Sequence, residues 1–282
     1  MSPRRDLRAT RNDTVDRLAG RLVGELRKVF KKPSDVDAVH DARVAARRLL
    51  AAGELWAAHA APWAGVRDRL PRVVRRLGRV RNLDIAVDLL KKGTKEDEAA
   101  RKELSGFVKK RRKKERAEMK EWLSEAKIER VRSRMKEVVR EVREKPVLDA
   151  PSPSDLAPHF ARVMSLFAGR TWAPTAEEAH AIRREVRRLR YAHETLEWAY
   201  PPEDFQRVVK VLQQIQELAG EWQDRCIMEK IAVKAVRRGK LSTPLGGFLS
   251  RIQQESKALS GRFVRAAAEL ADLRILIVGD GR

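Results

Sequence analysis

The chain has 282 residues, 62 of them lysine or arginine and 40 aspartate or glutamate, for a formal net charge of +22. With 43% hydrophobic and 36% charged residues it can bury a core beneath a heavily charged surface, and that much like charge points to a polyanionic partner. The single cysteine, Cys226, excludes an intrachain disulfide and a thiolate zinc cluster.

Strand signals are nearly absent, and Ala, Leu, Arg, Lys and Glu recur with helical spacing, so an all-α fold is expected in roughly eight segments cut by turn signals. Lys32-Pro33-Ser34 closes the first segment, and Ser34 with Asp37 fits a capping box for the second. Ala61-Pro62 opens a third, whose stripe is Leu70, Val73, Leu77 and Val80, with Arg72, Arg75, Arg76 and Arg79 opposite. After Lys92-Gly93-Thr94, where Thr94 and Asp97 fit a second capping box, Lys95 to Glu144 reads as one very long helix or two end to end. Seven of the eight residues from Lys109 to Arg116 are basic, a run that reads equally as a solvated face or as ligand contact. Three prolines between Pro146 and Pro153 cannot continue a helix, so 146–153 is expected to link a first helical bundle (5–145) to a second (154–272). Thr175 with Glu178 fits a third capping box. Pro201-Pro202, Arg238-Gly239 and Thr243-Pro244 divide the second half, and the apolar Ile275 to Val278 is expected to dock the last helix. No stretch reaches the length of an apolar membrane span, and the residues after Met1 lack the apolar run of a signal peptide, so a cytoplasmic location is expected.

The two halves repeat each other. Val39-His40-Asp41-Ala42-Arg43, continuing to Arg47-Arg48-Leu49, aligns with Ala179-His180-Ala181-Ile182-Arg183, continuing to Arg187-Arg188-Leu189, at an offset of 140. Leu77-Gly78 through Arg81-Asn82 aligns with Ala219-Gly220 through Gln223-Asp224 at an offset of 142. At about 100° per residue, His40, Arg43 and Arg47 share an arc of roughly 60°, with Arg48 a little further round. Ala42, Ala45, Ala46, Leu49 and Trp56 lie opposite. The second copy sets His180, Arg183, Arg184, Arg187 and Arg188 against Ile182, Val186, Leu189 and Leu196. In the helix after it, Phe205, Val208, Leu212, Ile215 and Trp222 form the stripe, with Arg207 and Lys210 on the polar side.

The doubled pairing of H-x-x-R-x-x-x-R-R-L with a later L-G-x-x-R-[DN]-L-D resembles the CHAD domain family over about residues 5 to 270. The resemblance implies two four-helix bundles related by a pseudo-two-fold axis, with basic residues from both halves lining a central groove or pore. It also implies binding of inorganic polyphosphate, often beside a triphosphate-tunnel domain or on polyphosphate granules, and no enzymatic activity of the domain by itself. This chain departs from the pattern at Leu50, where a basic residue often closes the first motif while Arg190 closes the second. Asn82 stands for the usual aspartate, which Asp224 keeps, and Ala219-Gly220 and Arg225-Cys226 are loose copies of their motif positions.

Arginine suits phosphate because its planar fork donates paired hydrogen bonds and keeps its charge. The expected polyphosphate-binding set is His40, Arg43, Arg47 and Arg48 with His180, Arg183, Arg187, Arg188 and Arg190, extended by Arg72, Arg76, Arg79, Arg207 and Lys210. Asn82, Asp84 and Asp224 are expected to hold arginines in place, since a carboxylate in the ligand path would repel phosphate. A histidine beside bound phosphate gains charge, which favours binding at mildly acid pH. No P-loop, H-E-x-x-H or G-x-S-x-G motif occurs, and His59, His159 and His193 are scattered without metal-ligand spacing, so no enzyme, metal or cofactor is expected. Duplex nucleic acid is the rival ligand, though the 5% aromatic content and the placement of Trp56, Trp122, Trp198 and Trp222 on apolar stripes argue against base stacking. A scaffold for acidic proteins is a third reading. A monomer or weak dimer is expected.

Overall fold

The computed structural model describes residues 7–58, 60–91, 98–144, 151–168, 176–239 and 246–278. His59, the capping residues Thr94, Asp97 and Thr175, linker positions 146–150, and the segments 1–6 and 279–282 lie outside the described residues. Among the described residues every regular element is helical. The helices are α1 (Leu7–Lys31), α2 (Val36–Trp56), α3 (Ala61–Lys91), α4 (Glu98–Trp122), α5 (Glu125–Glu144), α6 (Ala157–Phe167), α7 (Ala176–Glu194), α8 (Pro202–Arg237), α9 (Gly246–Asp272) and α10 (Arg274–Val278).

The cap of α2 corrects one expectation. Asp35, not Ser34, is the N-cap, and its carboxylate accepts from the amides of Asp37 and Ala38 at 3.1 and 3.0 Å. Two orphan amides of the first turn are thereby satisfied, and they hold the Asp35 carboxyl below its ordinary pKa. A capping box does form elsewhere, where Ser152 and Asp155 start a 3-10 turn ahead of α6. The segment from Lys95 to Glu144 resolves into two helices. The break falls at buried Leu123, and Ser124 Oγ accepts from the Lys127 amide at 3.4 Å to begin α5.

Helices α1, α2, α3 and α5 pack on one another, as do α6, α7, α8 and α9, and α2 packs on α7 between the two sets. The apolar faces read from the sequence are the ones buried: Ala42, Ala45, Ala46, Leu49, Val186, Leu189 and Leu196 are all fully buried, as are Leu77, Val80, Val208, Leu212 and Ile215. One core cluster runs through both sets, and a second joins the C-terminal halves of α3 and α8 to the first turns of α4 and α9 through Leu83, Leu104, Ile231 and Phe248. At the end of α2, a side chain on Gly53 would overlap the ring of Trp63, so only glycine lets α3 approach there. The last segment docks as expected: Ile277 is fully buried and its carbonyl accepts from the Tyr200 hydroxyl at 2.7 Å, while Ile275 points outward. No helix among the described residues is long and apolar enough to cross a membrane.

Candidate functional site

The arginines that α2 and α7 turn away from the core meet in a cavity of about 650 Å³. Helix α2 supplies Arg43 and Arg47, and α7 supplies His180, Arg183, Arg184, Arg187 and Arg188. From α3 come Arg67, Arg75, Arg79 and Asn82, and α8 contributes Gln223 and Ile227. Spacings of three and four residues put these side chains on one face of each helix, and the packing of α2 on α7 brings the two faces together.

The glycines of the second motif make room for the arginines of the first. A Cβ on Gly78 would stand 3.0 Å from Nη1 of Arg43, and one on Gly220 would stand 3.4 Å from Nη2 of Arg183. Each half thus seats its first arginine over a bare stretch of the following helix. The halves differ in what faces that arginine. Arg183 Nη1 lies 3.7 Å from Asp224, whereas the aligned position in α3 is the neutral Asn82, and the buried Nη1 of Arg43 has no hydrogen-bond partner among the described residues.

The cavity is therefore under electrostatic strain. Burial, and then the charges of Arg187, Arg183 and Arg81, bring the Arg43 pKa down to about 10. Burial followed by Arg43 takes Arg47 to about 9, and burial followed by Arg47 takes Arg187 to about 9. All three stay protonated at neutral pH, so their mutual repulsion persists in the empty protein. His180 Nδ1 lies 3.1 Å from Gln223 Oε1, and burial leads the neighbouring arginines in lowering its pKa. His40 is exposed outside the cavity lining, and its pKa is lowered by partial desolvation and by Arg81.

Other expected contacts fall elsewhere. Arg188 lines the cavity but is held by Glu54 at 2.7 Å. Arg48 and Arg190 do not line it: both pair with Glu194, at 3.1 and 3.6 Å, and lie over the ring of Tyr191, at 5.4 and 4.9 Å from its centre. Tyr191 is the wall between this cavity and another of about 420 Å³ that includes Arg48 and Glu194. Arg72 opens onto a cavity of about 250 Å³ beside α5, and Arg76 sits 3.9 Å from Glu118 of α4. Arg207 and Lys210 are exposed near the start of α8, outside the cavity. Asp84, 2% exposed, does hold arginines, but they belong to the basic run of α4: Arg116 at 2.9 Å and Arg112 at 3.4 Å. Burial raises its carboxyl pKa despite the two guanidiniums.

Sequence reasoning missed Arg67, Arg75, Tyr191 and Gln223 as lining residues, and Arg81 as a charge acting on His40, Arg43, Arg183 and Asp224. Arg75 stood on the polar side of the α3 stripe and Arg81 inside the repeated motif, so both carried a signal. Among the described residues, no group of three His, Cys, Asp or Glu side chains could hold a metal ion.

The class so defined is an all-helical protein built around an arginine-lined cavity. The chain belongs to the CHAD domain family, whose model matches residues 14–232. Its fold is similar to the crystal structure of the CHAD domain from the plant Ricinus communis, with a TM-score of 0.69 at 18% identity, over 96% of this chain and 91% of that one. No match was found among curated proteins.

Proposed function

We propose that this protein binds long, linear inorganic polyphosphate, without catalysis, in a basic groove between two pseudo-symmetric four-helix bundles. The observation that carries the reading is the cluster of Arg43, Arg47 and Arg187, three charged guanidiniums that have no ion pair among the described residues, in one cavity. Ion-paired arginines are a weak sign of a ligand, whereas like charges held together without carboxylates are relieved by a bound polyanion. The matched seats of Arg43 over Gly78 and Arg183 over Gly220 support the pseudo-symmetry, and they give a phosphate chain donors from both halves. CHAD membership narrows polyanion to polyphosphate.

Binding releases counterions and weakens steeply with salt. Phosphate beside His180 raises the imidazole pKa, so affinity grows at mildly acid pH. A cytoplasmic monomer or weak dimer, associated with polyphosphate granules, fits this role.

The test is the double variant Arg43→Glu with Arg183→Glu. The loss of two charge-assisted contacts and the reversal of two charges are expected to reduce affinity for long-chain polyphosphate by at least about 100-fold, with the helical circular dichroism retained. Unchanged affinity in the folded double variant would remove the groove.

A further inference from the structure

Helix α8 carries one face out of the groove and onto the surface. Gln223 and Ile227 line the cavity, Lys234 follows Ile227 at seven residues, and Arg238 caps the C-terminal end of the helix. At 3.6 residues per turn an interval of seven returns to the same face, and Lys234 lies about 10 Å beyond Ile227 along the axis. Ile227 marks the junction, since it also packs against the second core cluster.

Helix α4 stands beside this face, packed on both α3 and α8. Asp84, two residues beyond the cavity-lining Asn82, ties it down through Arg112 and Arg116. Those two members of the basic run are therefore occupied internally. Arg111 is not. It follows Leu104 and Val108 by seven and three residues, and both are fully buried in the cluster that holds Ile231 and Ala235 of α8. That spacing turns Arg111 towards α8, where its charge and that of Arg238 depress the pKa of Lys234, opposed only by Glu115. Some surface cations are paired, as in Arg132 with Glu129 and Arg134 with Glu137, and others, such as Arg207 and Lys210, stand without a carboxylate among the described residues; what sets the next three apart is that two helices gather them. Among the described residues Arg111, Lys234 and Arg238 have no carboxylate within ion-pair distance, although two helices converge to bring them together.

We propose that the ridge formed by Arg111, Lys234 and Arg238 is a second polyanion subsite, continuous with the groove, and that it takes the part of a phosphate chain that leaves the groove past Ile227. The proposal rests on the polyphosphate reading of the groove and adds a direction to it. Towards Glu54 and Tyr191 the groove is also lined by Arg67 and Arg188, but there Glu54 already holds Arg188 at 2.7 Å. A chain long enough to engage both subsites gains from the second at the effective concentration set by the first, while a chain confined to the groove gains nothing.

The experiment compares wild type with the variant Arg111→Gln, Lys234→Gln and Arg238→Gln, using inorganic tripolyphosphate and long-chain polyphosphate across a salt series. The variant is expected to lose about tenfold in affinity for the long chain. Its slope of log affinity against log salt should shrink by about 2, at somewhat under one counterion per removed cation. Tripolyphosphate affinity should stay at the wild-type value. Unchanged long-chain affinity and slope would overturn the subsite, as would an equal loss for both lengths, which would mark a general field effect. If wild type bound neither length, the groove reading itself would fall and the ridge with it. Loss confined to long chains is the outcome that establishes the ridge.

Discussion

Replacing Arg43, Arg47 and Arg187 together by methionine is expected to make the empty protein more stable while abolishing its hold on polyphosphate. The three guanidiniums share one cavity, and burial heads the causes that lower each pKa, to about 10 for Arg43 and about 9 for the other two. For a base, a folded pKa below the unfolded value means that folding disfavours the bound proton. The cost is fully present at neutral pH and is relieved only as pH rises above about 9 towards the ordinary guanidinium range. Methionine keeps an unbranched apolar stem and removes the charge, and replacing buried charges with apolar groups commonly stabilises by about 1–4 kcal/mol. These side chains keep some contact with water, so a gain of about 1–3 kcal/mol is expected, at about 2–4 °C in Tm per kcal/mol for a chain of this size. Affinity for polyphosphate should drop by more than about 100-fold. A folded triple variant with a lower Tm, or with its affinity intact, would contradict a cavity that trades stability for binding.

A second large effect is expected at acid pH and belongs to the fold. His193 is fully buried near the end of α7, its ring stacked on Phe205 with centroids 4.9 Å apart and 4.5 Å from Tyr200. Neither ring nitrogen has a hydrogen-bond partner among the described residues, and burial lowers its pKa to about 4. The unfolded chain therefore takes up a proton between about pH 6.5 and 4 that the folded chain refuses, so stability falls as pH drops through that window. The loss from this one group is roughly 3 kcal/mol by pH 4. In urea unfolding at pH 7.5 and pH 4.5, His193→Leu should lose roughly 2–3 kcal/mol less than wild type on acidification. His40, His159 and His180 also have lowered pKa values and are common to both proteins, so the difference isolates His193. Identical pH dependence of the two proteins would rule the mechanism out.

Much of the architecture could be read from periodicity alone, because burial in a helical protein follows a 3.6-residue period. Ala42, Leu49, Ile182 and Leu189 sat on apolar arcs and are core residues. The repeat also identified the two helices that meet at the cavity, and it paired Gly78 with Gly220 before any reason for the glycines was visible. A helical arc does not reveal which neighbour covers each of its edges. Arg48 and Arg190 share the basic side with Arg47 and Arg187, yet they turn to Glu194 and Tyr191; the spacing of Arg190 to Glu194 by four residues was the available sign. The same limit applies to α3. Arg75 and Arg79 face the cavity, while Arg72 and Arg76, on the same broad polar side, face α5 and α4, which return along that side only in three dimensions. Asp84 was expected to steady the motif arginines, and the long-range fold of α4 gave it Arg112 and Arg116 instead.

The central claim is that the arginine cavity selects polyphosphate rather than polyanions at large. The most direct measurement is competition for the protein among long-chain polyphosphate, duplex DNA and heparin at one fixed physiological salt concentration. The account predicts that polyphosphate displaces both others, because a thin flexible chain can enter a cavity between α2 and α7 that a duplex cannot. Equal affinity for all three would contradict it and leave only a general attraction of a +22 surface for negative charge.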